Sequence, residues 1–501
     1  MVNLYTGGVA QVKHLDATKL MEAKRGVVAP FSLSIERADI GAIEITFLSI
    51  LRLLPAKRIV ALAEYDGEQV LVKMFLGKTS GKYAYRERSG ALAIARSGVS
   101  TPDLMWEGEI DNGHLLVFHF LKDAISLSEQ WEQAQQSDEK VQILGKAMKV
   151  LSQLHNHGVI QHDIHLGNFL LSDGRINTID GGAVEREGEG ALNEGASMRN
   201  LALFFAQFYS GFDELIDDVF LKYEQYREWV PDHGRLERLK DEVVLSRETR
   251  KKNYIDKSFR DCTRFLCTEK FSRFEVCKRS AYSEELAALM ADPDHYIDAG
   301  TILKNGNTAT VALVELSDRS MVVKRYNVKN PWHGLRRAFR RSRAWQSWGN
   351  AHRMEFLGIP ALRPIAMIEK RIGPITSTAY LITEFIEGPD ALDCLKDMEN
   401  PNGELESLTD ILRQLIAVQI SHGDLKATNF LMAEDGPVLI DLDGMTEHRT
   451  EESFKAAFGR DLSRFMENWE DYPKIRSEFS SLLHDMFSDF GVNIQISGSS
   501  S

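Results

Sequence analysis

At 501 residues the chain is too long for one ordinary hydrophobic core, and its 43% of hydrophobic residues is enough for more than one. A net charge of −13 argues against a general nucleic-acid binder, and the four cysteines, Cys262, Cys267, Cys277 and Cys394, lack the spacing of a disulfide framework or a thiolate metal site. The most apolar segment, Ile40 to Leu54, is broken by Glu44 and Arg52 and is shorter than the ~20 residues of a membrane span, and the N-terminal residues show no export signal.

Residues 1 to about 35 carry little periodicity and read as a lead-in. From Glu44 to Phe75 the pattern predicts paired strands: Arg58 to Leu62, a turn at Asp66-Gly67, then Val70 to Phe75. Lys73 sits inside the last of these. An isolated lysine there is an edge residue on a solvated face, but Asp163, Asn168 and Asp180 follow it in kinase order, which makes it a candidate to hold nucleotide phosphates. Between Tyr83 and Arg96 a helical pattern carries Glu87, eleven residues before Gly98 and the candidate partner of that lysine. Leu115 to Phe120 predicts a strand leading to a hinge, and Ile143, Ala147, Val150 and Leu154 have the spacing of an amphipathic helix.

That helix delivers the chain to Gln161-His162-Asp163-Ile164-His165-Leu166-Gly167-Asn168, with Ile179-Asp180 after an apolar run. An aspartate, an asparagine five positions on and a second aspartate are what a kinase-type phosphotransferase uses to hold a hydroxyl and its metal ions. Asp424, Asn429 and Asp441 repeat the pattern at a constant offset of 261 (424 − 163), so the chain reads as a tandem duplication. Asp163 and Asp424 are the candidate bases. Asn168, Asp180, Asn429 and Asp441 are the candidate magnesium ligands.

After Asp180 there is no Ala-Pro-Glu element, and residues 227–295 read as a charged helical connector that includes Arg247 to Lys252. The second unit opens on Leu303 to Val311, with Gly306 and Asn307 at a bend where backbone amides can approach phosphate oxygens. Lys324 follows in an apolar strand; at the corresponding bend the first unit has Leu53-Leu54-Pro55-Ala56-Lys57, without glycine. Between Lys324 and Arg343 lie eight basic residues and no acidic one, among them Arg336, Arg337, Arg340 and Arg341, a run suited to phosphate groups or an anionic surface. Tyr380 to Phe385 predicts the second hinge strand, and Leu408, Ile411, Leu415 and Val418 the second amphipathic helix. The tail, Ser497 to Ser501, is expected to be disordered.

With these stretches in view the chain resembles the lipopolysaccharide core sugar kinases, a branch of the kinase-like superfamily. The resemblance rests on Arg52-Leu53-Leu54-Pro55, Val72-Lys73 and His162-Asp163-Ile164-His165 in the first unit. In the second it rests on Ser347 to His352, Gly358-Ile359-Pro360, His422 to Asn429, Ile440 to Asp443 and Arg460 to Phe465. It covers about residues 45–210 and 300–470. It implies an α+β chain of two tandem protein-kinase-like, bilobal domains with reduced C-lobes joined by the helical connector. The expected boundaries are a lead-in at 1–35, domains at 36–226 and 296–490, the connector at 227–295 and a tail at 491–501.

The resemblance further implies ATP- and Mg2+-dependent phosphorylation of a heptose or Kdo hydroxyl on the lipid-linked core glycolipid. The setting implied is cytoplasmic, at the inner face of a Gram-negative inner membrane, with the protein peripheral and Arg336, Arg337, Arg340 and Arg341 as its contact. The chain departs from the kinase pattern at Gln161, where protein kinases have a histidine. It departs again at Ser347, eleven before Gly358, where the first unit has Glu87, so Lys324 is expected to lack its usual partner. A protein or small-molecule kinase, and a tandem pseudokinase that scaffolds other envelope enzymes, stay open as readings.

Overall fold

Strands that bury alternate side chains build the sheet of the first unit. A computed structural model describes residues 13–37, 41–327, 341–372, 375–396, 398, 400–484, 486 and 490, and the chain divides into two units, Met1–Glu248 and Thr249–Ser501. Both are mixed α/β.

The first unit's seven-stranded sheet runs, in spatial order, Lys13–Leu15, Phe31–Arg37, Gly41–Leu54, Arg58–Tyr65, Glu68–Leu76, Gly113–His119 and Leu104–Ile110. Pairing of Glu36 with Glu109 brings the second strand to the last, so the sheet curls on itself. Its core includes Phe31, Phe47, Ile59, Val72, Met74 and Val117, with the Phe31 and Phe47 rings stacked at 4.5 Å. The lead-in expected over residues 1–35 is therefore corrected in part. Phe31, Leu33 and Ile35 are buried strand residues because they recur every second position; residues 1–12 lie outside the described part.

Beyond the sheet, the helices Ser137–Asn156, Glu194–Phe205 and Leu215–Tyr226 bury Leu144, Met148, Leu151, Leu201, Phe204 and Phe220 in one cluster. Ser137–Asn156 is the amphipathic helix that the sequence predicts, opened by a capping box between Gln136 and Glu139.

The second unit has its own seven-stranded antiparallel sheet: Phe265–Lys270, Arg273–Lys278, Pro364–Ile372, Ile375–Glu384, Ser320–Tyr326, Ala309–Glu315 and Thr301–Asn305. The helix Arg343–Leu357 is stopped by Gly358 at φ 73°. The helices Asn402–Ala417 and Glu451–Glu467 pack Leu408, Ile411, Leu415, Leu462 and Phe465 around Phe430 and Trp469.

The connector expected to be helical over 227–295 is corrected here. It holds the helix His233–Lys257 but then two strands, Phe265–Lys270 and Arg273–Lys278, that belong to the second sheet. Phe274 and Val276 alternate into its core while Glu275 faces the other way, a period of two hidden in a charged stretch. The expected tail at 491–501 lies outside the described residues. Among the described residues no helix is long and apolar enough to cross a membrane, and the four cysteines are free thiols.

Candidate active sites

In the first unit the strand Glu68–Leu76 carries Lys73, and the helix Ser80–Arg96 carries Glu87, which is buried and ion-paired with Lys73. Glu87 Oε1 also accepts the Gly181 N–H at 3.0 Å. Helix and loop meet through glycine: a Cβ on Gly90 would lie 1.9 Å from the Gly181 carbonyl oxygen, and one on Gly182 would lie 2.8 Å from Glu87 Oε2. Asp180 begins this loop in the left-handed region, at φ 69°, a conformation that costs energy outside glycine and clusters at functional sites.

Three cations face Asp180. Lys73 Nζ is 3.5 Å from its carboxylate, and Arg52 and Arg58, from adjacent strands of the sheet, stand at 3.9 and 4.0 Å. Burial works against the charge on Asp180, but Lys73, Arg58 and Arg52 outweigh it and hold the carboxyl below its usual range.

The loop that carries Asp163 is tied down from below. Asn168 Nδ2 donates to the Asp163 carbonyl at 2.6 Å, and Asn200 Nδ2 donates to the Gln161 carbonyl at 2.9 Å. His155 links to Asn200 at 2.9 Å and to the Tyr223 hydroxyl at 2.7 Å; burial brings its pKa down to about 4. The Asp163 side chain is exposed.

In the second unit Lys324, on the strand Ser320–Tyr326, has a partner after all, and it comes from the loop rather than from the helix. Its ammonium ion-pairs with Asp441, whose φ of 61° repeats the left-handed geometry of Asp180. At the helix position, the buried Ser347 bonds to the Tyr326 hydroxyl at 2.9 Å. Asp443, two residues past Asp441, ion-pairs with Arg343. Burial pushes the Asp443 carboxyl up, and Asp441 adds to this; burial opposes the charge on Asp441 as well, but Lys324 outweighs it and holds that carboxyl low. Asn350 Nδ2 donates to the carbonyls of Leu442 and Met445 at 2.8 and 3.2 Å, fastening helix to loop.

Asn429 Nδ2 donates to the Asp424 carbonyl at 2.7 Å, matching Asn168. The Asp424 carboxylate receives Arg464 at 2.6 Å and Lys426 at 3.0 Å. Asp461, on the same helix as Arg464, accepts the backbone N–H groups of His422 and Gly423 at 2.7 and 3.0 Å. A cavity of about 730 Å³ opens beside this loop, lined by Gly423, His448, Lys455, Arg460 and Arg464 among others.

At the bend between Thr301–Asn305 and Ala309–Glu315, the Gly306 N–H closes the turn onto the Ala309 carbonyl at 3.0 Å, and Asn307 is exposed. Of the arginine run, Arg336, Arg337 and Arg340 lie outside the described residues; Arg341 stacks on Trp345 at 4.2 Å. Sequence reasoning assigned no role to Arg52, Arg58, Asp443, Asp461 or Arg464. A signal existed for Asp461, which stands at the same offset of 261 from Asn200 (461 − 200).

Residues 298–480, which hold Lys324, Asp424, Asn429 and Asp441, match the lipopolysaccharide kinase (Kdo/WaaP) family. The matched stretch of the second unit is similar to this lipopolysaccharide kinase family. Among curated proteins none matches the sequence. A solved structure described as WaaP in complex with acyl carrier protein is similar over 41% of this chain and 88% of its own, at 18% identity and a TM-score of 0.32. In the matched stretch the lysine pairs with a loop aspartate while a serine stands at the helix position.

Proposed function

We propose that the second unit transfers the γ-phosphoryl group of ATP to a sugar hydroxyl, of heptose or Kdo, in the lipopolysaccharide inner core. The observation that carries this reading is the convergence of Lys324, Asp424, Asn429 and Asp441 within the stretch that matches the family.

Asp424 is the group to accept the proton of the acceptor hydroxyl, and Arg464 and Lys426 fix the direction of its carboxylate. Asp461 holds the loop on which Asp424 sits. Lys324 neutralises phosphate charge. The donor set suits Mg2+, a hard cation that prefers oxygen: Asp441 and Asp443 offer carboxylates, and Asn429, whose amide nitrogen is engaged by the Asp424 carbonyl, keeps its Oδ1. When bound, the metal would supply charge neutralisation on the transferring phosphoryl group. The cavity beside the loop, with Lys455, Arg460 and Arg464, is where an anionic acceptor would lie.

The first unit we read as a duplicated kinase-like copy, each domain bilobal with a reduced C-lobe and bounded near 36–226 and 296–490. The arginine run, Arg336, Arg337, Arg340 and Arg341, would bring a net-acidic protein to the anionic inner face of the inner membrane. The deciding experiment incubates the full chain with γ-labelled ATP and a panel of core glycolipids. Label on a core sugar that disappears with Asp424→Asn supports the reading; label on none of the panel overturns it.

A further inference from the structure

The first unit carries a cluster of charges that the reaction proposed for the second does not use. Around Asp180 stand Lys73, Arg52 and Arg58, all within 4.0 Å of its carboxylate. The other acid nearby, Glu87, is already committed to Lys73 and to the Gly181 amide. Where the second unit has Asp443 the first has Gly182, which supplies no further carboxylate, and a Cβ there would lie 2.8 Å from Glu87 Oε2.

The two sites thus differ in charge balance. In the second, Asp441 and Asp443 balance Lys324 and Arg343. In the first, three cations face Asp180 and Glu87, and a divalent cation brought to Asp180 would meet all three at close range. Asn168 and Asp180, the expected metal ligands of this unit, do not fit that role. What fits is an anion with several charged oxygens. Arg52 and Arg58 flank the hairpin tip Leu54-Pro55-Ala56-Lys57, in the place where the second unit has its Gly306 bend, and guanidinium forks grip phosphate oxygens two at a time.

We propose that the first unit binds a polyphosphate chain, free or as part of a nucleoside triphosphate, without a divalent metal ion. This goes beyond the transfer reaction of the second unit and does not depend on its turnover. The test is calorimetric titration of the full chain with inorganic tripolyphosphate in EDTA, repeated with ATP as competitor. One equivalent should bind. Arg52→Gln/Arg58→Gln should weaken it at least tenfold, whereas Lys324→Gln should leave it unchanged.

Competition by ATP identifies a nucleotide site, and its absence a site for free polyphosphate; both support the proposal. Failure to bind in EDTA, a strict need for Mg2+, or loss with Lys324→Gln but not with the arginine pair overturns it. If the double variant fails to fold, Arg52→Gln alone serves, since that side chain is 56% exposed; a folded Arg52→Gln with unchanged affinity also counts against the proposal. Asp424→Asn should keep the binding in EDTA while losing transfer, so the two readings fail separately.

Discussion

Asp461 accepts the backbone N–H of His422 at 2.7 Å, and the same carboxylate oxygen takes the next amide, that of Gly423. One buried charge thereby orients the peptide just before Asp424. Hydrogen bonds to a charged group contribute roughly 1.5–3 kcal/mol, so Asp461→Ala should destabilise the second unit by a few kcal/mol. The transfer rate should fall further than Km for ATP rises. Urea unfolding and steady-state kinetics read the two effects.

Asp424→Asn removes the proposed base and should lower kcat by about 10²–10⁴-fold, the usual worth of a positioned general base. Arg464→Met should act in the same direction but less, because Lys426 still holds the carboxylate. A normal rate in Asp424→Asn would exclude the assignment.

The carboxylate that accompanies the site lysine stands on the helix in the first unit and on the loop in the second. Phe75 and Glu87 in one correspond to Tyr326 and Ser347 in the other, and Gly182 to Asp443. Asp443→Gly should therefore raise Km for ATP. Adding Tyr326→Phe and Ser347→Glu should lower it again by rebuilding the first unit's arrangement. Ser347→Ala loses only a hydroxyl contact and should cost about 1 kcal/mol of stability with little change in Km.

His155 supplies a pH dependence. It is fully buried and its folded pKa is about 4, against 6.5 for the free side chain. Below 6.5 the unfolded chain binds a proton that the folded chain refuses, so stability is present above pH 6.5 and is lost as pH falls towards 4. Taken at 1.36 kcal/mol per unit, the loss is on the order of 3 kcal/mol. Denaturant midpoints at pH 7 and pH 4.5 should differ more for the wild type than for His155→Gln.

Reversing Arg336, Arg337, Arg340 and Arg341 to glutamate should release the protein from anionic vesicles, each charge being worth roughly 1 kcal/mol near such a surface. Turnover of a detergent-soluble acceptor separates the two uses of the run. Intact turnover with lost vesicle binding marks membrane recruitment, and the converse marks acceptor recognition.

The period-two strands, the amphipathic helices before each loop and the repeated Asp, Asn and Asp at one offset were legible from residue order alone. Those features are local, because a strand, a helix or a loop motif is written in consecutive residues. The lysine-bearing strands and the helix carrying Glu87 were legible for the same reason. The strand Phe31–Arg37 is equally local, its apolar residues alternating with polar ones. Which acid meets each lysine was decided by tertiary packing. Lys324 lies 117 residues from Asp441, and Arg52 lies far along the chain from Asp180. No period links such pairs, and only the closure of sheet onto loop brings their charges within a few ångströms. Packing also explains why Gly90 and Gly181 are glycines: they are the places where helix and loop backbones touch.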